Sequence, residues 1–376
     1  MRNRLLNGLT PAQFLHRHWQ KKPLLVRDGL PRAANLVTRS ELFELAQSAE
    51  TESRLIRRHG ARWHVAHGPF RRRDLAGLPR RNWTLLVQGV NHVLPRAQEL
   101  LAPFAFIPHA RLDDLMISYA PPGGGVGPHF DSYDVFLVQG EGTRRWRISH
   151  QRDLSLIDGA PLKILCNFRP ARDWTLEPGD MLYLPPRCAH DGIAVGPCIT
   201  YSIGFRAPSA QDLCSRFFDF LQDNLDVAGH YADPQLRPTR QPGRIGGQLA
   251  EGLLRLLRQA RWTRQDLLHF IGEDLSTPKS HLVFTPPRRA LTRTGFSRAS
   301  SRLGIRLDAK SILLYDSRCF YMNGDRYQLP ARAGAAVHRL ADRKMLAPGQ
   351  RLPVPALDLL YAWYRAGFLQ PCTGRP

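Results

Sequence analysis

The chain has 376 residues, 43% of them hydrophobic, and a formal charge of +21, so it is long enough for two or three units with a sizeable core and is not a disordered polyelectrolyte. No stretch approaches the roughly 20 apolar residues of a membrane span, and the charged start MRNRLLNGLTPAQFLHRHW lacks the apolar centre of a signal peptide, so a cytoplasmic protein is expected. The six cysteines, at 166, 188, 198, 214, 319 and 372, have none of the zinc spacings and read as reduced, mostly structural thiols. Only six of the 53 basic residues are lysine, a skew that fits either a codon bias or a field that attracts polyanions.

Thr10 and Pro11 supply an N-cap and a first-turn proline, predicting a helix over Ala12 to Trp19 that ends at Lys21-Lys22-Pro23. Leu24 to Val26 reads as a strand, and Ser40 as the cap of a second helix running to Ala46. Arg54-Leu55-Ile56 and Trp63 to Ala66 read as paired strands around His59-Gly60, with His64 and His67 as ordinary histidines lacking a carboxylate partner. Trp83 to Gln88 is a β-rich run, Pro95 to Leu101 a short helix, and Leu115 to Tyr119 a strand. The loop Pro121-Pro122-Gly123-Gly124-Gly125 lacks the Gly-Lys-Ser/Thr and strand-to-helix setting of a phosphate cradle. It is expected instead to bend closely around a cavity and present His129.

His129-Phe130-Asp131 is the one His-x-Asp or His-x-Glu triplet in the chain. On a strand, residues two apart share a face, so the imidazole and the carboxylate would project together, followed by Tyr133. Val135 to Gln139, Gly140-Glu141-Gly142 and Thr143 to Ile148 then read as a hairpin, with Arg144, Trp146 and Ile148 inward and Arg145 and Arg147 outward. An inward arginine needs an anion: an internal Asp or Glu, or a carboxylate cosubstrate gripped by the guanidinium fork. The irregular stretch from Ile148 to Thr175 is expected to cap the barrel. Glu177 to Asp180 is a tight turn into the strand Met181 to Leu184, and His190 follows the turn Pro185-Pro186-Arg187. Two imidazoles and a carboxylate with open positions are the donor set of a non-haem iron(II) oxygenase. Many short strands with Pro/Gly turns predict a mainly β jelly roll.

Beyond Pro208 the apolar residues take helical spacing: Leu213, Phe217, Phe220, Leu221 and Leu225, then Leu249, Leu253, Leu256 and Leu257. Ile312 to Tyr315 and Cys319 to Met322, followed by Asn323-Gly324, with helical patterns over Ala333 to Lys344 and Leu357 to Ala366, suit a winged-helix-like unit used for docking. Four segments are expected: 1–95 packing on the barrel, 96–208 catalytic, 209–285 helical and 286–376 winged-helix-like.

The stretches DDLMISYAPPGGGVGPH, DVFLVQGEGTRRWR, LEPGDMLYLPP and YSIGFRAP resemble the JmjC-type 2-oxoglutarate oxygenases, a cupin double-stranded β-helix family, and within it the bacterial ribosomal oxygenases of the RoxA type. The likeness runs from HWQKKPLLV through Pro208 and more loosely to the end of the chain. It implies that His129, Asp131 and His190 hold Fe(II), that Arg144 and Ser118 hold the cosubstrate 2-oxoglutarate, and that no other side chain is catalytic. It also implies molecular oxygen as co-reactant, an arginine of a large-subunit ribosomal protein as substrate, and a homodimer built on the helical segment; contact with ribosomal RNA is one of the two readings of the basic charge. The competing readings are a ribosomal histidine hydroxylase, a metal cupin that uses no 2-oxo acid, and a basic ribosome- or RNA-binding cupin without catalysis.

Overall fold

The computed structural model of the chain describes residues 4–60 and 62–372; the few others, which include the start of the first expected segment and the end of the last, lie outside the described residues. Eleven strands form two facing sheets: β1 (Leu24–Val26), β2 (Ser53–His59), β3 (Arg62–His67), β4 (Trp83–Val87), β5 (Leu112–Ala120), β6 (Asp134–Glu141), β7 (Arg144–Ser149), β8 (Arg172–Leu176), β9 (Met181–Leu184), β10 (Ala189–Ala194) and β11 (Cys198–Phe205). The larger sheet has the order β1-β9-β6-β11-β5-β4-β2-β3 and the smaller β10-β7-β8, with every pairing antiparallel. This is the jelly roll that the strand pattern predicts.

The hairpin expected over 135–148 does not form. β6 is a central strand between β9 and β11, whereas β7 pairs with β10 and β8. The chain therefore leaves the large sheet at Glu141 and enters the small one at Arg144, a sheet-to-sheet crossing that shares with a hairpin both its turn residues and its alternation. Gly142 makes the crossing: its φ is +61° and an added Cβ would lie 2.0 Å from the Pro197 carbonyl oxygen. The inward reading of β7 survives, since Arg144, Trp146 and Ile148 are buried while Arg145 is exposed.

Alternation along β6 joins two cores. Val135 and Leu137 pack with Trp146, Ile148, Leu182 and Leu184 between the sheets. Phe136 and Val138 point the other way, into the cluster that holds Phe14, Leu42 and Phe104 of the preceding segment. On that outer side Asp134 is fully buried, but Tyr183 Oη donates to it at 2.6 Å and Gln20 Nε2 at 2.9 Å, so the carboxylate is satisfied as a buried polar group must be. The first helix, Pro11–Arg17, is closed by a capping box between Thr10 and Gln13. The second, Arg39–Leu45, is capped by Thr38 with Glu41 rather than by Ser40, because the Thr-x-x-Glu spacing satisfies two orphan backbone N–H groups at once.

Past the barrel come helices Ala210–Asn224, Gly247–Leu257 and Arg264–Ser276. The last of these, which the apolar spacing does not single out, packs on the C-terminal unit, where Gly272 leaves no room for more than hydrogen beside the Tyr321 ring. That unit holds helix Arg293–Leu303, β12 (Ile305–Leu307), the meander β13 (Leu313–Tyr315), β14 (Phe320–Met322) and β15 (Asp325–Tyr327), helix Ala335–Arg343, β16 (Met345–Leu346), helix Val354–Arg365 and β17 (Leu369–Pro371). Its own core centres on Phe296, Val337, Leu340, Leu360 and Trp363. Among the described residues no helix is long and apolar enough to cross a membrane, and all six cysteines are free.

Gly142→Ala is expected to lower stability by about 1–3 kcal/mol, because it forces a side chain into left-handed backbone against a carbonyl. Gly159→Ala, with a similar φ of +65° but open space around it, should cost clearly less. Urea midpoints of the two variants check this; equal midpoints would contradict the close packing of the crossing.

Candidate active site

Between the sheets lies a cavity of about 580 Å³ whose wall includes His129, Asp131, His190, Arg144 and Ser118, within the ordinary size of a small-ligand site. The triplet does not sit on a strand, since β6 begins only at Asp134. His129 instead forms an isolated bridge with His190: its N–H donates to the His190 carbonyl at 2.9 Å, and His190 N–H returns the bond at 2.8 Å. Asp131 is anchored through its carbonyl, which accepts from Arg187 N–H at 2.7 Å. The two imidazoles and the carboxylate thus converge through a bridge and a turn, and one ligand atom from each lies within 4.8 Å of the others. Among the described residues this is the one such group of three; His64 and His67 stand on β3 outside it.

The donor set is chemically prepared for a cation. His129 Nδ1 is 2.8 Å from the Gly127 carbonyl and His190 Nδ1 is 2.9 Å from the Cys188 carbonyl. A carbonyl only accepts, so both Nδ1 atoms carry the proton and both Nε2 lone pairs are free. His190 is 2% exposed, and burial followed by the neighbouring His129 pulls its pKa down to about 4, so the ring is neutral at physiological pH. His190 Nε2 and Asp131 Oδ2 are 3.7 Å apart. This set fits a divalent metal with positions left for other ligands.

Arg144 stands deeper in the same cavity. It is 3% exposed, and burial lowers its pKa. Its guanidinium donates to Ser118 Oγ at 3.3 Å and to the Gly192 carbonyl at 3.1 Å, leans on the Trp146 ring at 5.1 Å, and leaves Nε without a partner. No carboxylate among the described residues pairs with it; the nearby Asp191 is paired with Arg147. The internal-acid reading of Arg144 is therefore excluded. Ser118 and Arg144 are brought together although 26 residues separate them. The loop Pro121 to Gly125 bends tightly as expected, with the Gly124 carbonyl accepting from Ala194 N–H and an added Cβ at Gly125 lying 2.4 Å from the Gly192 carbonyl oxygen.

Tyr133 also lines the cavity, and burial followed by the Asp131 carboxylate raises its phenol pKa. Two further acids, Asp113 and Asp114, escape the reading from sequence, although their tandem position at the head of β5 is a visible signal. Both line the cavity and both are bridged by Lys279, at 3.4 and 2.8 Å. Lys279 comes from 165 residues further along the chain, and nothing in the local pattern could place it there.

A JmjC domain model matches residues 99–213, a ROXA-like winged-helix model residues 259–370, and an AraC-like ligand-binding model residues 162–269. The ribosomal protein uL16 3-hydroxylase of Escherichia coli is 40% identical over 281 residues, 73% of this chain and 73% of that one. The chain belongs to the JmjC ribosomal oxygenases of the RoxA type. A probable ribosomal oxygenase of Haemophilus influenzae is 37% identical over 257 residues, 67% of this chain and 63% of that one. The solved structure of the Escherichia coli ribosomal oxygenase YcfD in complex with cobalt and 2-oxoglutarate superposes with a TM-score of 0.82 at 32% identity, covering 96% of this chain and 98% of that one. This ribosomal oxygenase therefore has the fold of that relative from the barrel through the winged helix.

Asp131→Ala is expected to abolish tight divalent binding, because it removes the one anionic ligand of the set, while circular dichroism stays unchanged. Titration calorimetry with Mn(II) or Co(II) reads the loss. Undiminished binding would remove Asp131 from the site.

Proposed function

We propose that the chain is an iron(II)- and 2-oxoglutarate-dependent hydroxylase acting on an arginine of a large-subunit ribosomal protein. The carrying observation is Arg144: a buried guanidinium with no protein carboxylate, one nitrogen unpartnered, facing the cavity that also holds two imidazoles and an acid. A site that needed only a metal would have no use for this cation. His129, Asp131 and His190 would hold the iron, and Arg144 with Ser118 the distal carboxylate of 2-oxoglutarate. When bound, iron with 2-oxoglutarate and dioxygen supplies an oxidant able to hydroxylate an unactivated C–H, one oxygen atom entering the product and the other the succinate released with carbon dioxide.

The protein's own part is to position and exclude. Gly192, without a side chain, leaves the guanidinium room to lie flat beside Trp146. Tyr133 offers an aromatic surface in the cavity wall, which suits the planar guanidinium of an arginine, while the neighbouring Asp113 and Asp114 are already paired with Lys279. Exposed apolar side chains on the two helices after the barrel, among them Phe218 at 64% and Leu257 at 71%, support a homodimer in which those faces are covered. On this reading the four segments are a packing segment (1–95), a catalytic barrel (96–208), a dimerising helical segment (209–285) and a docking unit (286–376), and the enzyme works in the cytoplasm, where ribosomes are.

Mass spectrometry of the large-subunit proteins from cells with and without the gene tests this. One added oxygen on an arginine, lost when the gene is deleted, is the expected result. The same gain on a histidine would assign the neighbouring specificity, and no gene-dependent oxygen on any large-subunit protein would overturn the assignment.

A further inference from the structure

The formal charge of +21 is not spread evenly over the surface beside the cavity. Between residues 53 and 81 the chain has nine arginines and a single acid, Asp74. Five of these arginines lie around one strand end, Arg58 on the cavity-facing side of β2 and Arg57 and Arg62 on the opposite side. Arg57, Arg58 and Arg62 flank the β2–β3 turn, where His59 pairs with Arg62 and Arg58 with Trp63. Arg80 and Arg81 arrive there because Asn82, the next residue, accepts through its carbonyl from Arg58 N–H at 2.9 Å. All five are exposed, and none takes part in an ion pair among the described residues.

The cluster is continuous with the cavity wall. Arg54 and Ile56 of β2 line the cavity, and by the two-residue period of a strand Arg58 extends the same row beyond the rim. The Arg58 guanidinium lies 5.1 Å from the centre of the Trp63 ring, and Trp63 packs on Gly127, where an added Cβ would approach it to 3.0 Å. Gly127 in turn accepts from the His129 ring. Asn82 also donates to the Pro122 carbonyl at 3.1 Å, so the segment that carries Arg80 and Arg81 runs beside the glycine loop that frames the site. At the substrate end the cavity carries Asp113 and Asp114 instead. Those two carboxylates are paired with Lys279, and Asp113 also with Arg206, whereas the five arginines have no such partners among the described residues.

We infer that the arginines at the β2–β3 tip form a docking site for double-helical RNA, which holds the ribosomal substrate over the cavity. The choice of ribosomal RNA rests on the proposed function; RNA binding itself does not. Guanidinium forks match phosphate oxygens bidentately, and a projecting hairpin tip fits the groove and backbone of a duplex. A lipid surface would call for apolar side chains to insert, yet the one large aromatic there, Trp63, is turned onto Gly127. A bound polyanion also removes the repulsion between two basic partners.

The test is fluorescence anisotropy with a labelled RNA duplex of about 16 base pairs, the span one double-stranded RNA module covers, over a range of KCl concentrations. The variant carries Arg57→Gln, Arg58→Gln, Arg62→Gln, Arg80→Gln and Arg81→Gln. A control with the same charge change carries Arg237→Gln, Arg240→Gln, Arg244→Gln, Arg288→Gln and Arg289→Gln, all exposed. At about 100 mM KCl the tip variant should bind at least roughly tenfold more weakly, with the slope of log K on log salt shallower by about 0.9 for each phosphate that is no longer neutralised, and the control should stay within about twofold of the parent. Circular dichroism establishes that both fold. Equal weakening in the two variants would mean net charge and no site; undiminished binding by the tip variant, or binding of anionic phosphatidylserine vesicles but not RNA, would likewise overturn the inference. No iron or 2-oxoglutarate is present in the assay, so its outcome is independent of whether the hydroxylase reading holds.

Discussion

A guanidinium held at 3% exposure without a protein carboxylate is the constraint around which this barrel is built. Desolvating such a charge costs several kcal/mol when nothing pairs with it. The fold offsets part of that cost with one hydroxyl, one carbonyl and the face of Trp146, and leaves Nε open. What remains is an unmet demand for an anion inside the cavity. A ligand carboxylate meeting that demand would also offset the desolvation of the cation in the folded protein, so binding and stability are linked at this residue.

The strand register ties this cation to the metal-ligating group. β10 lies against β7 with His190 opposite Ile148, Gly192 opposite Trp146 and Ala194 opposite Arg144. His190 and Gly192 therefore share the inward face, and Gly192 supplies the carbonyl that Arg144 binds. A slip of β10 by one residue would turn that strand inside out and send Asp191, which pairs with Arg147 on the other face, into the cavity in place of His190. The crossing at Gly142 matters for the same reason, because it delivers β7 to the small sheet two residues before Arg144. The separation of Arg144 from His190 is thus a property of one antiparallel ladder, to which His129 is tied by its backbone bridge to His190.

Much of the site was legible because strand alternation survives errors of topology. The inward face of β7 depends only on which residues share a side and holds although the hairpin does not exist; His129 and Asp131 also come together, but through a bridge and a turn and not through alternation. Pairing partners are non-local, so β6 between β9 and β11 could not be read from β6 itself. Asp113 and Asp114 carry a local signal, whereas their link to Lys279 is made by the fold across 165 residues. The same limit applies to the arginine cluster: Arg80 and Arg81 join the β2–β3 tip through the pairing of β4 with β2 and the Arg58–Asn82 backbone bond. In the C-terminal unit, helices with a clear apolar face were visible, while β12, β16 and β17 are two or three residues long and too short for any period to declare itself.

In the proposed function Arg144 grips the second carboxylate of a 2-oxo diacid. The most direct measurement is calorimetric titration of the Mn(II)-loaded protein with 2-oxoglutarate and with 2-oxobutanoate, which keeps the metal-chelating 2-oxo acid but lacks the distal carboxylate. A charge-assisted pair contributes about 1.5–3 kcal/mol, so 2-oxoglutarate should bind roughly ten- to hundredfold tighter. Equal affinities would mean that Arg144 meets no carboxylate and would contradict the account.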